Sequence, residues 1–443
     1  MLVLIKLPFQ RLMIMHLVRL FLSFYFLIFA VAVQAQSVIE LTDRGGLHAA
    51  YVVPTDDFNR VDVQLIVLSG MFDDPEPSGT AHLTEHLTAF SSDATVLSNP
   101  RERDINATTD SVSTVYTNSG APSDAELLLR LSRAVLDTPN VPKDFAESEI
   151  DIIRRETLLR ERQFSGRWLK RMALQNLYGT LRGRANNAVE DLSKLSVEKA
   201  YQFHKKHYAP SNVTLIVSGK IQPDNAAELV ARVFGDTEPS AVPEKNWLDQ
   251  KPDPELRSVE YIETDRLTRD TVQYIKFVDF ADRSSSIDMQ GAFFIATNIL
   301  MSRLENAFHF EDQRFLIDEI GLHFVKNADL ELSIDVQLMP DFSLDAAHNT
   351  LINTVSNLLN EPISSHEIDQ ARQKEVTSAL HAKRRPTDFL AFLKNVAADG
   401  FPPVSPSVFA NLLTRTTDQE VIDFIETVMK PSATSVILAK RVD

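Results

Sequence analysis

The pattern of hydrophobic and polar positions changes its period along the chain, from the alternation typical of strands to the spacing typical of helices. Short apolar or alternating runs predict strands at residues 49–53, 61–68 and 213–218. Helical spacing is clearest at residues 145–162 and 197–207. Strands and helices therefore mix along the chain, which predicts an α+β fold.

The same order of elements recurs after a polar, proline-rich segment at residues 237–256. The sequences FHKKHYAPSNVTLIV at 203–217 and FIETVMKPSATSVIL at 424–438 each place a Pro-Ser pair between a helix and an apolar strand. We interpret this recurrence as a duplicated α+β unit, with an N-terminal domain at 36–236, a linker at 237–256 and a C-terminal domain at 257–443. Each half is expected to be an antiparallel or mixed sheet packed with helices.

The first 35 residues differ from the rest of the chain. They carry Lys6, Arg11 and Arg19 and no acid, and the apolar run at 20–33 precedes small residues near Ala35. This pattern is typical of a secretory signal peptide, with an uncleaved membrane anchor as the alternative. We therefore expect an exported protein, periplasmic rather than secreted into the medium, without stable membrane insertion after signal removal.

Composition and charge narrow the possible chemistry. The chain has 45 Lys and Arg against 61 Asp and Glu, a net charge of −16 that loss of the predicted signal would change to −19. Such an acid excess argues against nucleic acid as a partner. Cysteine is absent, which excludes thiol catalysis and thiolate metal sites. The chemistry must therefore use His, carboxylates, hydroxyls or Lys.

One short motif carries most of the chemical signal. Residues 82–86 read His-Leu-Thr-Glu-His, the H-x-x-E-H form of the zinc peptidase motif. On a helix His82 and His86 lie on one face and can bind one metal ion, while Glu85 could take a proton from a zinc-bound water. The alternative is a histidine pair on an amphipathic helix without a metal.

A third ligand is expected, because a catalytic zinc usually takes three protein groups. Glu149 and Glu156 are seven residues apart on one predicted helix and share its face with Ile152 and Ile153. A carboxylate on an apolar face is costly unless it is paired or bound to a metal, so Glu156 is the preferred third ligand. The alternative is a solvated charged helix.

Together these stretches resemble the pitrilysin/insulinase family of metallopeptidases, which includes two-domain bacterial enzymes and the mitochondrial processing peptidases. The resemblance is carried by Gly70–Gly79, His82–His86, Asn106–Thr109 with Thr114 and Tyr116, Glu149–Glu156, and Tyr208–Asn212. It implies two homologous metallopeptidase-like halves and one zinc ion per chain.

The resemblance also implies roles for individual residues. The zinc ligands would be His82, His86 and Glu156, with Glu85 as the general base and Glu149 supporting the site. Asn106 and Ala107 would hold the substrate backbone, and the substrate would add as a strand beside Asn106, Ala107, Thr108 and Thr109.

The second half departs from the family pattern. The family's Arg and Tyr, which polarise the substrate carbonyl, would fall at Ile317 and Phe324, and Arg314 is out of register. Neither Ile nor Phe can donate a hydrogen bond to an oxyanion. We therefore hypothesise a heterodimer in which a homologous subunit supplies Arg and Tyr. The alternative is a homodimer that uses Arg314 or His323.

The sequence thus predicts an exported zinc-dependent endopeptidase that hydrolyses unfolded peptides or small protein fragments. One alternative is a non-catalytic peptide-binding or assembly subunit of the same family, and another is a periplasmic solute-binding protein. The remaining histidines carry less weight. His204 and His207 lie on one helix without a nearby acid motif, and we interpret them as surface residues.

Overall fold

The computed structural model describes most of the chain. It covers residues 38–75, 78–96, 104–163, 166–179, 192, 194–245, 247, 251–279, 287–310, 315–325, 329–340, 342–382, 384–398 and 403–442. The predicted signal peptide lies outside these residues. Within them, no helix is both long enough and apolar enough to cross a membrane.

The first half of the chain alternates strands with helices. Its elements are β1 (Ile39–Glu40), β2 (Ala49–Pro54), β3 (Val61–Val67), α1 (Thr80–Val96), β4 (Asp104–Thr109), β5 (Thr114–Gly120), α2 (Ala125–Ala134), α3 (Lys143–Gln163), α4 (Gly166–Tyr178), α5 (Val197–His207), β6 (Val213–Gly219) and α6 (Pro223–Phe234).

The second half begins with two strands and is richer in helices toward its end. Its elements are β7 (Arg257–Thr264), β8 (Thr271–Asp279), α7 (Ile287–Phe310), β9 (Phe315–Val325), β10 (Asp329–Leu338), α8 (Leu344–Asn357), α9 (Ser365–Ala382), α10 (Pro386–Ala398), α11 (Pro406–Arg415), α12 (Asp418–Met429) and β11 (Thr434–Arg441).

The described strands form two sheets whose orders correspond. The first runs β1-β2-β6-β3-β5-β4 and the second β7-β11-β8-β10-β9. In both sheets the last strand of the half inserts beside the first long strand in parallel, and the other neighbours are antiparallel. The α+β fold with two mixed sheets packed by helices, predicted from the sequence, is therefore confirmed.

The central strands of the first sheet are buried even where their sequences carry polar residues, as at Asp62 and Gln64. Every residue of β3 and β6 is buried, because helices cover both faces of the first sheet, as in most sheets with parallel pairs. One face packs against α1, α2, α5 and α6. The opposite face is covered by a helix from the other half.

The two halves exchange helices across the molecule. Helix α4 of the first half packs Leu169 and Leu174 against Ile275 and Ile437 of the second sheet. Its first residue approaches that sheet so closely that a Cβ at Gly166 would lie 1.5 Å from Asp335 Oδ2.

Helix α10 makes the reciprocal contact. It packs Phe389 and Leu393 against Ile66 and Val115 of the first sheet. Each sheet therefore depends on the other half for the apolar cover of one face.

The proposed linker forms no helix or strand in its described residues, 237–245, 247 and 251–256. It is nevertheless anchored to the first half. Lys245 Nζ donates to Asp73 Oδ2 (2.8 Å) and Ser69 Oγ (2.6 Å), and Trp247 Nε1 donates to Asp73 Oδ1 (2.9 Å). The linker thereby fixes the loop that leads into α1, and the domain boundaries stay a prediction.

Candidate metal centre

The side chain of Asp74 caps the N-terminus of helix α1. Asp74 accepts hydrogen bonds from the backbone N–H groups of Gly79 and Ala81, both at 2.6 Å. Such a carboxylate satisfies donors that have no partner within the helix. Gly79 has a φ of +96°, a conformation that residues with a Cβ rarely adopt. Burial raises the pKa of Asp74 to about 8, against the opposing effect of the two N–H groups.

The two histidines of the motif lie one turn apart on α1 and face each other. Their Nε2 atoms are 3.2 Å apart, and the ring of His82 meets that of His86 edge-on at 84°. His82 is 5% exposed. The i, i+4 spacing therefore directs both imidazoles at one point, as helix geometry requires.

Helix α3 places two carboxylates beside these rings. Glu156 Oε2 lies 3.6 Å from His82 Nε2, and Glu149 Oε2 lies 2.6 Å from His86 Nδ1. The register of α3 against α1 is set by Ile153, which is fully buried in a cluster that includes leucines of α1. The glutamates share a face with this isoleucine, so they necessarily point toward α1.

The resulting cluster could hold one metal ion. One ligand atom from each of His82, His86 and Glu156 lies within 4.8 Å of the other two. Two atoms bound to one zinc at tetrahedral angles, with bonds of about 2.0–2.1 Å, lie about 3.3 Å apart. The distances of 3.2 and 3.6 Å bracket this value. Glu149 bonds the outer ring nitrogen of His86, the usual role of a residue behind a metal ligand.

Glu85 points to the neighbouring sheet edge. It is 6% exposed, and its Oε2 accepts a hydrogen bond from Thr109 Oγ1 at 2.8 Å. Thr109 lies at the end of β4, so one predicted substrate-binding residue contacts the predicted base directly. Below them Tyr208 bonds the hydroxyl of Tyr116 (2.8 Å), and burial with the charge of Glu85 raises the pKa of Tyr208.

The other predicted substrate-binding residues lie along β4, which is the last strand of its sheet. Asn106 is exposed and Ala107 is half-buried; they pair with Thr117 and Tyr116 of β5 on the inner side. Thr108 Oγ1 accepts a hydrogen bond from Lys394 of α10 at 3.0 Å. The outer side of β4 has no paired strand among the described residues, as a strand-adding substrate requires.

Two histidines lie where the sequence interpretation did not place them. His204 and His207 were interpreted as surface residues, and this was wrong, since each is 2% exposed. His204 Nε2 bonds Val135 O at 2.9 Å, and His207 Nδ1 bonds Ser69 Oγ at 3.0 Å. Burial lowers the pKa of both to about 4. Their spacing from the buried Phe203 and Ala200 is the signal that could have revealed a core-facing position.

At the positions where the resemblance places the family's Arg and Tyr, the structure describes the side chain of one residue, Ile317. Ile317 lies on the edge strand β9 and is 37% exposed. Phe324 and His323 lie in the same strand, where only their backbone is described, and Arg314 lies outside the described residues. Arg303 donates to Glu367 and to backbone carbonyls that include Leu358 O, so its guanidinium is occupied structurally.

Comparisons with known proteins agree with this fold. Residues 194–375 match the family model described as Peptidase M16 inactive domain. That match begins after Glu156, so it contains none of the candidate metal ligands. No curated protein matches the chain at a significant level.

Solved structures match over nearly the whole chain. A protease from Helicobacter pylori is 14% identical with a TM-score of 0.71, over 91% of this chain and 100% of that one. A peptidase M16 inactive domain from Pseudomonas fluorescens is 15% identical with a TM-score of 0.70, over 92% and 98%. The chain has an M16 peptidase-like fold.

A third structure bears on the length of the unit. The first half of the periplasmic protease PqqL from Escherichia coli is 17% identical with a TM-score of 0.65, over 92% of both chains. Against the whole of PqqL, the chain covers 47% of that protein. The M16-like fold described here is therefore similar to one half of that protease.

Proposed function

We propose that this protein is an exported zinc-dependent endopeptidase of the M16 type that hydrolyses unfolded peptides or small protein fragments. The observation that carries the proposal is the convergence of one ligand atom each from His82, His86 and Glu156 within 4.8 Å of one another, with Glu149 behind His86. Zinc bound there would supply a Lewis acid and lower the pKa of water to about 7.

The residues of the chain supply the remaining steps. Glu85 accepts the proton of the attacking water and returns it to the leaving amine, as a general base and then a general acid. Thr109 holds this carboxylate through its hydroxyl, which donates to Glu85 Oε2 and fixes that oxygen. The substrate adds as a strand beside β4, where Asn106 and Ala107 offer backbone groups.

The second half supports a proposal about assembly. Ile317 and Phe324 provide no donor for the substrate carbonyl, so we propose that a homologous subunit supplies an Arg and a Tyr, with a homodimer as the alternative. The similarity to one half of PqqL supports a pairing of two such units. Export is supported by the residues before position 36, and PqqL is described as periplasmic.

A second function is supported by one observation. The family model that matches the chain describes an inactive domain, which favours a non-catalytic peptide-binding or assembly subunit. The two proposals differ in whether the site binds zinc and turns over peptide.

The deciding experiment combines metal analysis with turnover of an unfolded, quenched fluorescent peptide by the purified chain and by the chain with its neighbouring gene product. We expect one zinc per chain, and Glu85→Gln should keep the zinc while turnover falls by about 10²–10⁴-fold. The matched control is Glu147→Gln, an exposed glutamate on α3. Zinc-free protein, or turnover that persists in Glu85→Gln, would contradict the proposal. Full activity of the chain alone would exclude the heterodimer.

A further inference from the structure

A buried lysine lies in the second sheet, far along the chain from the metal centre. Lys276 of β8 is 4% exposed. Within the described part of the chain its ammonium makes no hydrogen bond or ion pair, and the one charge that acts on it is the cation of Arg257. A buried charge without a partner is costly, so this position needs an explanation.

The first half shows what this position normally contains. Lys276 pairs with Thr434 at the start of β11, and the corresponding pair in the first sheet is Val67 with Val213 at the start of β6. Two residues earlier, Tyr274 corresponds to Leu65. The first half fills these places with aliphatic side chains of its core. The second half replaces them with an ammonium and a phenol.

Both side chains line a cavity of about 400 Å³ between the second sheet and helices α8 and α12. Arg257 stands among the lining residues, and its Nη1 donates to Pro254 O and Leu256 O, which fixes the guanidinium in place. No carboxylate lines the cavity among the described residues. The chain as a whole has 61 acids against 45 bases, so a cavity lined by two cations and no acid departs from its overall charge and favours an anionic ligand.

The rest of the lining divides into hydroxyl and apolar groups. Ser356, Ser432 and Thr434 add hydroxyls, while Ile352, Leu359 and Met429 form an apolar wall. A cavity of this size with convergent polar groups on an apolar background is typical of small-molecule sites. Burial and the neighbouring Arg257 lower the pKa of Lys276 to about 8, so the ammonium is mostly charged at pH 7.

We propose that this cavity binds a small organic monoanion, a carboxylate that carries an apolar group. The carboxylate would accept from Lys276 Nζ and the hydroxyl of Tyr274, with Arg257 beside them, and the apolar group would contact Ile352 and Leu359. Lys276 is buried whereas Arg257 is exposed, so the interior of the cavity balances one negative charge, which favours a monocarboxylate over a phosphate dianion. Such a carboxylate is found on a free fatty or aromatic acid and at the C-terminus of a peptide.

Calorimetric titration of the full-length protein distinguishes these sources. The probes are octanoate with octanol as its neutral analogue, and acetyl-Gly-Leu with its C-terminal amide. We expect at least one acid to bind and its neutral analogue not to bind. Because a hydrogen bond to a charged group contributes about 1.5–3 kcal/mol, Lys276→Met should weaken the acid about 10–100-fold. Binding of octanoate alone assigns the site to free acids, and binding of acetyl-Gly-Leu alone assigns it to peptide termini.

The control variant is Lys440→Met, which removes an exposed lysine of the same sheet, paired with Glu263, and should leave the affinity unchanged. Thermal unfolding of Lys276→Met should occur at the wild-type temperature or above, which shows that lost binding is not lost folding. Acids that bind no better than their neutral analogues would overturn the proposal. So would an affinity that Lys276→Met retains, because the acid would then bind elsewhere, the zinc site included.

Discussion

The two halves of this molecule share a strand order and differ in where they hold charged groups. In the first half, α1 and α3 carry two histidines and three glutamates that converge beside the edge strand β4. In the second half, the corresponding edge strand β9 carries Ile317, and Arg303 of the preceding helix α7 is bound to Glu367. Two sheets with corresponding strand orders can therefore differ in chemistry, since the candidate metal ligands lie beside only the first.

The two sheets also differ in their buried side chains, and at one pair of corresponding places it is the second sheet that contains the charged group. Val67 of the first sheet lies in an apolar core, whereas Lys276 at the corresponding place lines a cavity. Among the described residues, the half without the candidate metal ligands is therefore the half in which a buried ammonium has no hydrogen bond or ion pair. Four substitutions test how far this division extends.

The largest effect is expected at the third ligand. Glu156→Ala should remove one of three groups from the metal and lower zinc affinity by more than about 100-fold, the upper range for groups that only support a ligand. Competition with a chelator of known affinity measures the change. Glu147→Ala is the control. An unchanged affinity would identify Glu149 as the ligand and move the site along α3.

In the second half, Lys276→Met should change how stability depends on pH. The pKa of Lys276 is lowered from 10.5 to about 8 in the folded protein. Below pH 8 the penalty of the buried charge is fully present, and as pH rises from 8 to 10.5 the unfolded state holds more protons, so wild-type stability rises. Relative to the variant, this rise should reach about 3 kcal/mol.

Urea unfolding of both proteins at pH 7 to 10.5 measures this difference in the free energy of unfolding. Groups that titrate alike in the two proteins cancel from the difference. Arg257 and Tyr274 are the titratable groups that face Lys276, and burial keeps the pKa of Tyr274 above this window. The described side chains of α8 and α12 that line the cavity do not titrate. A constant difference across this range would show that the ammonium is solvated.

A smaller effect on zinc affinity is expected at Glu149, which contacts the candidate ligand His86. Glu149→Gln keeps an acceptor for His86 Nδ1 but removes its charge, so zinc affinity should fall about 10–100-fold. The same chelator competition orders this variant between wild type and Glu156→Ala. A loss as large as that of Glu156→Ala would show that both glutamates bind the ion.

The smallest effect is expected at the edge strand. Thr109→Val removes the hydrogen bond to the Glu85 carboxylate, worth about 1.5 kcal/mol at the low end for a bond to a charged group, so turnover should fall about 10-fold while zinc affinity stays unchanged. Thr109→Ser should restore turnover. A fall in zinc affinity would instead show that Thr109 supports α1 as a whole.

Part of this site could be predicted from sequence because helix geometry is local. The spacing of His82 and His86 determines that they share a face, and the apolar Ile153 determines which face of α3 turns inward. The hydrogen bond from Thr109 to Glu85 could not be predicted, because it joins a strand end to a helix across 24 positions. Lys276 lies inside an apolar run that reads simply as a strand.

The fold, like the site, could be predicted from sequence only where local patterns determine it. The recurrence around Pro210 and Pro431 predicted that the order of elements along the chain repeats, and the two sheets have corresponding strand orders. The exchange of α4 and α10 could not be predicted, because an amphipathic face shows that a helix is covered and not which sheet covers it. His204 and His207 could have been placed correctly from sequence. Each lies four residues after a buried apolar residue, Ala200 or Phe203, although a histidine side chain is commonly exposed.

The exchanged helices make the two halves inseparable as folding units. If the chain were cut within residues 237–256, the first fragment would keep α4 without the sheet that it covers and would lose α10 from its own. Each fragment would then expose an apolar sheet face and an apolar helix face, both of which favour aggregation. The fragments should recover structure only by association. A chain that kept only one half would therefore expose apolar surface on its sheet and on its exchanged helix, whichever half it kept.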